Sequence, residues 1–243
     1  LAARMHRLRQ MGRGDLVMSL HEFPDLEQGS EAWHAQRRGM VTASVVGQLI
    51  TTRTLKPASN DYSRGLTALL VAERITGNTD PTYISNDMWR GIEDEPRARD
   101  LYSETYAPVV ESGFMVRDDW GFEIGYSPDG LVGNDGLIEV KSRRQKKHLT
   151  TILSGQVPAE NMAQIQCGLL VTGREWCDYL SYCGGMPMWR KRVTPDERWH
   201  QAITAAVQQF ETDAAVMVGA YREAIKGLAP TKRVDPYEVE LKL

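Results

Sequence analysis

The spacing of apolar residues changes period along the chain, and the elements can be read from it. Ser30 has the position of an N-cap ahead of Trp33 and Arg37, which lie four residues apart and so share one helix face. After Gly39, Thr42-Ala43-Ser44 opens a second short helix reaching about Ile50. Residues 51–61 mix Thr, Lys, Pro, Ser and Asn and read as a loop. A helix from about Tyr62 to Thr76 closes on Gly77, and another runs from near Ser85 to about Tyr106 with Trp89, Glu95 and Arg99 along it.

Helical spacing then gives way to alternation. Residues 108–117 and 121–127 read as strands separated by Asp118-Asp119, and Asn134-Asp135-Gly136 is a hairpin turn signal. Leu137 to Lys141 is a strand with Ile138 and Val140 on one face and Leu137, Glu139 and Lys141 on the other. A helix begins after Pro158 and ends near Gly173. Residues 175–183 and 187–193 form a hairpin around Gly184-Gly185. Thr194-Pro195-Asp196-Glu197 reads as a capping box with proline at the first helical position, and the helix it opens runs to about Ile225 and stops at Gly227. The order predicts an α+β fold, not regular βαβ winding.

Composition narrows the class. With 42% apolar and 25% charged residues over 243 positions, the chain is long and apolar enough for one sizeable core. Residues 19–243 are read as a single domain, with 1–18 set apart as an N-terminal extension. That segment is basic (Arg4, His6, Arg7, Arg9) but lacks the apolar stretch of a secretory signal. No run of about 18 apolar residues predicts a membrane span. Cys167, Cys177 and Cys183 contain no CxxC pair, which speaks against a disulfide framework or structural zinc and fits a reducing cytoplasm. A net charge of −3 argues weakly against nucleic acid, but residues 141–147 place five positive charges in seven positions, read as a basic loop.

The chemistry concentrates in Tyr126-Ser127-Pro128-Asp129-Gly130-Leu131 and Ile138-Glu139-Val140-Lys141. Paired strands lie about 5 Å apart, so Asp129 and Glu139 can converge on one cation. Glu139 and Lys141 share a strand face. Hard carboxylate oxygens suit Mg²⁺, with the Val140 main-chain carbonyl as a further ligand. Such an ion stabilises charge developing on a phosphodiester under attack and acidifies a water, while an adjacent ammonium orients that water. The bland alternative is a surface hairpin with a weak Glu139–Lys141 ion pair. Three charges on strands that read as buried weigh against it.

Four ordered blocks between about residues 28 and 183 carry a resemblance. They are Trp33-His34-x-x-Arg37-x-Gly39-x-x-Thr42-Ala43-Ser44; Trp89 through Glu95 and Ala98; Ser127-Pro128-Asp129-Gly130-Leu131 with Glu139-Val140-Lys141; and Met162-Ala163-Gln164-Ile165-Gln166. In this set the chain resembles the phage lambda-type exonucleases, or YqaJ-like viral recombinases, within the restriction-endonuclease-like nucleases. The resemblance implies a restriction-endonuclease-like core, a central mixed β-sheet flanked by helices. It implies that Asp129 and Glu139 are metal ligands, that Lys141 positions the attacking water, and that Glu95 completes the acidic site, with Glu93 and Asp94 as register alternatives. Gln164 would meet the scissile phosphate, with Gln166 as neighbouring candidate. Where the family usually follows the lysine with cysteine or serine and then proline, this chain has Ser142 and Arg143.

Arg37 offers a planar fork matched to phosphate oxygens, and Ser44 lies near a helix start that favours an anion. In the family such a pocket grips the 5′-phosphate of a DNA end. Arg53, Ser127, Arg143, Lys146 and Lys147 would be further DNA contacts, and Trp33 is grouped with the pocket although its character suits a core position. The implied activity is Mg²⁺-dependent (Mn²⁺ substituting, two ions per site) hydrolysis of duplex DNA from 5′-phosphorylated ends. It would release mononucleotides and leave 3′ single strands for phage-type recombination. A homotrimer, a single-strand annealing partner, and the cytoplasm of a host are implied with it. The rivals are an endonuclease of the same fold and a DNA-end-binding scaffold without turnover.

Overall fold

The computed structural model describes residues 19–81 and 84–233; the 1–18 extension lies outside them. The elements, in chain order, are β1 (Leu20–Phe23), α1 (Glu31–Arg37), β2 (Val41–Thr42), α2 (Ala43–Val46), β3 (Ile50–Thr51), β4 (Lys56–Pro57), α3 (Asp61–Thr76) and α4 (Asn86–Thr105). There follow β5 (Val109–Val110), β6 (Phe114–Arg117), β7 (Ile124–Tyr126), β8 (Gly130–Val132), β9 (Gly136–Ser142), α5 (Gln145–Ser154), α6 (Ala159–Thr172), β10 (Trp176–Tyr182), β11 (Trp189–Val193) and α7 (Glu197–Ala224). The predicted caps at Ser30 and Gly77 are in place, the latter in the left-handed region at φ 70°, and Ser85, near which a helix was expected to begin, caps that helix.

A five-stranded sheet of order β11-β10-β9-β8-β5 lies at the centre. It is mixed, because β9 and β10 run parallel while β8–β9 and β10–β11 are antiparallel. A parallel pair needs a crossover, and α5 and α6 supply it. The period-two reading of β9 holds. Ile138 and Val140 pack on one face with Leu180, Ala98 and Tyr102, while Leu137 joins Tyr179, Ile165 and Ile203 in the larger core on the other. Helices therefore cover both faces, α4 on one and α6 on the other, with α7 packed against α6.

A second, four-stranded sheet, β1-β6-β7-β2, packs alongside. The single strand expected over 108–117 is two strands in two sheets. The break falls at Gly113, whose N–H donates to the Pro24 carbonyl and where a Cβ would sit 2.3 Å from the Phe23 carbonyl oxygen.

Three other expectations are corrected. The presumed loop at 51–61 contains a small hairpin, β3 with β4. The basic run at 141–147 is not a loop: it completes β9 and then begins α5, a helix that was not anticipated. The last helix is capped by Asp196, which accepts the Arg198 N–H at 3.0 Å, so Pro195 precedes the helix instead of opening it. The reason is the buried Gln166, whose amide donates to the Thr194 carbonyl and accepts the Asp196 N–H at 2.9 Å, holding this segment extended. No helix among the described residues is long and apolar enough to cross a membrane.

Candidate active site

The β8–β9 register pairs Gly130 with Ile138 and Leu131 with Leu137. One residue further along that register, Asp129 stands opposite Glu139. β8 stops there, and the Val140 N–H, left without a strand partner on that side, donates to Asp129 Oδ2 at 2.6 Å. A charge-assisted bond of this kind fixes one carboxylate oxygen and leaves the other available.

Glu139 is fully buried. Lys141 Nζ lies 2.5 Å from Glu139 Oε1 as an ion pair, and no other group bonds either carboxylate oxygen. Burial, the Asp129 charge and a smaller contribution from Glu95 push Glu139 up to about 8. Asp129 is also raised by burial of its carboxyl, with Lys141, Val140 and Arg99 opposing. Burial alone would lower the Lys141 ammonium; Glu139 and Asp129 outweigh it and the net shift is upward.

Glu95 approaches from α4. Burial and Asp129 raise it to about 7, against Arg99 and Lys141. Arg99 lies 3.6 Å from Glu95 and donates to the Asp129 carbonyl at 3.0 Å, tying helix to strand end. The register alternatives are settled by their surroundings: Asp94 bonds Ser142, and Glu93 faces Arg97 on the exposed side. Among the described residues, no group of three or more His, Cys, Asp or Glu side chains is arranged to hold a metal ion. The oxygen chemistry of Asp129 and Glu139 nevertheless suits a hard cation, because the buried Glu139 carboxylate has the Lys141 ammonium beside one oxygen and no hydrogen-bond partner at the other.

The second constellation begins at Trp33. Its ring is buried, its Nε1 donates to Ser127 Oγ at 2.9 Å, and the Arg37 guanidinium lies 4.0 Å from its centroid. Trp33 is thus a platform beneath Arg37. Arg37 donates to Thr42 Oγ1 and to Ser44 Oγ, each at 3.2 Å, which brings the predicted pair together. Thr42 is a partner the sequence reading did not single out. Burial lowers the Arg37 pKa and the Glu73 charge opposes it, the signature of a guanidinium short of anionic partners. Gly39, at φ +65°, holds the loop behind Arg37: its N–H donates to Glu73 and its carbonyl accepts from Arg74 at 2.6 Å.

The remaining candidates are dispersed. Arg53 is exposed at the β3–β4 turn, and Gln164 is partly exposed on α6. Gln166 is committed to the start of α7. Arg143 donates to Asn161 at 2.6 Å and to the Tyr179 hydroxyl, while exposed Lys147 pairs with Glu160. A cleft of about 570 Å³ opens between α4 and the start of α5, lined by Arg90, Asp94, Arg143, Arg144 and Lys146. Arg90 was missed, because only the fold brings position 90 beside position 144.

Comparison with known proteins follows this geometry. An alkaline exonuclease from Laribacter hongkongensis superposes with a TM-score of 0.73 and 32% identity, covering 82% of this chain and all of that one. The same exonuclease in complex with dAMP gives 0.70 and 30%, with the same coverage. A phage-related exonuclease from Haemophilus somnus, 12% identical, has the same fold at a TM-score of 0.58 over 75% of this chain and 96% of its own. No curated protein sequence matches the chain. The α+β, restriction-endonuclease-like core expected from the sequence is therefore the fold observed. Residues 32–175 match the model of the YqaJ-like viral recombinase domain, and with more than half its length inside that match the chain belongs to this family.

Proposed function

We propose that this protein is a divalent-metal-dependent deoxyribonuclease that degrades double-stranded DNA from 5′-phosphorylated ends. It releases mononucleotides and leaves 3′ single strands for recombination. The observation that carries the reading is the fully buried Glu139 carboxylate, without hydrogen bonds, one strand over from Asp129 and against Lys141. Such a group is tolerated where charge balance comes from a cation.

Asp129, Glu139 and the Val140 carbonyl, with Glu95 beside them, are the groups that would hold Mg²⁺, or Mn²⁺ in its place, up to two ions. When bound, the ion neutralises charge on the cleaved phosphate and makes a water more acidic. Lys141 orients that water and offsets the added negative charge. Arg37 with Ser44 and Thr42 holds the terminal phosphate. Gln164 from α6 meets the scissile phosphate, and Arg53, Arg143, Lys146 and Lys147 meet the backbone. The relatedness to an alkaline exonuclease at 32% identity supports the reaction class. A homotrimer and a single-strand annealing protein as partner belong to the same reading.

The competing reading is an endonuclease of the same fold. The partly desolvated Arg37 favours end recognition, since it offers one phosphate a fixed seat. Linear and covalently closed circular duplexes, each with and without Mg²⁺, test this. Only the linear DNA is expected to be degraded, from its 5′-labelled end, and only with metal. Equal loss of circles would overturn the end-reading claim.

A further inference from the structure

Among the residues of α4, only Asp94, Ala98 and Tyr102 are buried. Ala98 and, one turn on, Tyr102 pack into the small core of Ile138, Val140 and Leu180, so ahead of Ala98 the helix has no buried apolar side chain. Arg99 and Tyr102 tie the later turns to the Asp129 carbonyl and to Asp178, but no apolar side chain anchors the turn ahead of Ala98. Pro96 weakens the same turn further, because it lacks the N–H that would bond the Ile92 carbonyl. Yet Glu95, which must reach the acidic site, sits on this turn.

Polar ties occupy the place of the missing apolar contacts. Ser142 Oγ donates to Asp94 Oδ2 at 2.7 Å and accepts from Arg90 Nε at 2.9 Å. Arg90 and Arg144 both donate to Asp87, one turn earlier. Residues 87, 90 and 94 lie on one helix face. Ser142 projects from the same face of β9 as Ile138 and Val140, the face that meets α4.

The joined residues are sequence neighbours of the chemistry: Asp94 precedes Glu95, and Ser142 follows Lys141. One step along a helix is about 100° of rotation and 1.5 Å of rise, so fixing Asp94 fixes where Glu95 points. Resting on the nuclease reading above, we infer that Ser142 is a positioning residue. Its hydroxyl, held between Asp94 and Arg90, sets the register of α4 against β9 and so keeps Glu95 on the same centre as Asp129 and Glu139.

The test compares wild type with Ser142→Ala and Ser142→Thr. Mn²⁺ binding is measured by calorimetry without DNA, alongside kcat, KM for 5′-phosphorylated duplex, and the melting temperature. Loss of an outer partner of a metal site costs about 10- to 100-fold in affinity or activity. Ser142→Ala is expected to weaken Mn²⁺ binding and lower kcat by about tenfold or more, with KM for DNA nearly unchanged. Ser142→Thr, which keeps the hydroxyl, is expected to bind Mn²⁺ like wild type. Unaltered Mn²⁺ affinity in the alanine variant, or equal loss in both variants, overturns the inference, as does a wild type that binds no Mn²⁺. A shifted Mn²⁺ affinity in a protein that hydrolyses no DNA overturns the nuclease reading alone.

Discussion

The Val140 N–H and the Asp129 carboxylate meet at 2.6 Å, so the main chain of one strand aims the acidic side chain at the end of the next. The bond exists because β8 ends one residue before it would otherwise claim that N–H. Asp129→Ala removes both the aimed charge and the bond; Asp129→Asn keeps an acceptor for Val140 and removes only the charge. Both variants are expected to lose roughly 10²–10³-fold or more in cleavage rate, with duplex binding retained. Single-turnover cleavage and a binding titration at constant salt check this. An asparagine variant of near wild-type rate would show that the charge is not what matters.

The planar Arg37 guanidinium stacks on Trp33 while its Nη2 donates to two hydroxyls, and a lysine cannot reproduce that stack. Arg37→Ala and Arg37→Lys are both expected to reduce the preference for 5′-phosphoryl over 5′-hydroxyl ends by about 10- to 100-fold. The ratio of kcat/KM on the two substrates is the measurement. A lysine variant that keeps the full ratio would mean that charge alone suffices.

The carboxylates also set a pH dependence. Glu95 stands near 7 and Glu139 near 8 in the fold, against an ordinary 4.5. Acids raised in this way bind their protons more tightly when folded. The stability they contribute is present below about pH 4.5 and is lost as pH rises through about 7 to 8. A divalent cation needs the ionised forms, so it offsets that loss increasingly as pH rises. The rise in Tm caused by Mg²⁺ is therefore expected to grow from about pH 6 to about pH 9. Scanning calorimetry with and without Mg²⁺ reads it, and a rise that shrinks over this range would count against the acidic cradle.

Helix α6 reaches β7 through Gly168, where an added Cβ would lie 2.8 to 3.1 Å from the buried Tyr126 ring. Alanine gains about 1 kcal/mol of helix propensity. Overpacking against a ring with no room to retreat costs about 1–3 kcal/mol. The clash outweighs the gain, and Gly168→Ala is expected to lose up to about 2 kcal/mol in urea unfolding. Tyr126 lies three residues before Asp129, so cleavage is expected to fall as well. A stabilised variant would mean that Tyr126 can move.

The hairpin carrying Asp129, Glu139 and Lys141 was legible because alternation and a turn signal are local properties. The helix carrying Glu95 was legible for the same reason, from its Ser85 cap and its periodic face. Helix α5 was not. Its two buried residues are His148 and Thr151, both polar, so no apolar stripe marks it, and its first turn holds the lysines that suggested a loop. Gly155, at φ +60° after its last residue, was the available signal. Links such as the Tyr102 hydroxyl to the buried Asp178 carboxylate, 76 positions apart, leave no trace in any local window. The same limit hid Arg90 from the basic cleft, while Arg37 with Ser44 fell within one short block.

The central sheet finishes at both sides in ways that discourage extension. On one side β11 presents Arg190-Lys191-Arg192, and long cations along an outer strand keep a second strand from docking there. On the other, β5 is two residues long, too short a ladder to template another chain. The outer strands of this sheet therefore resist the growth of a continuous ribbon from one copy of the protein to the next.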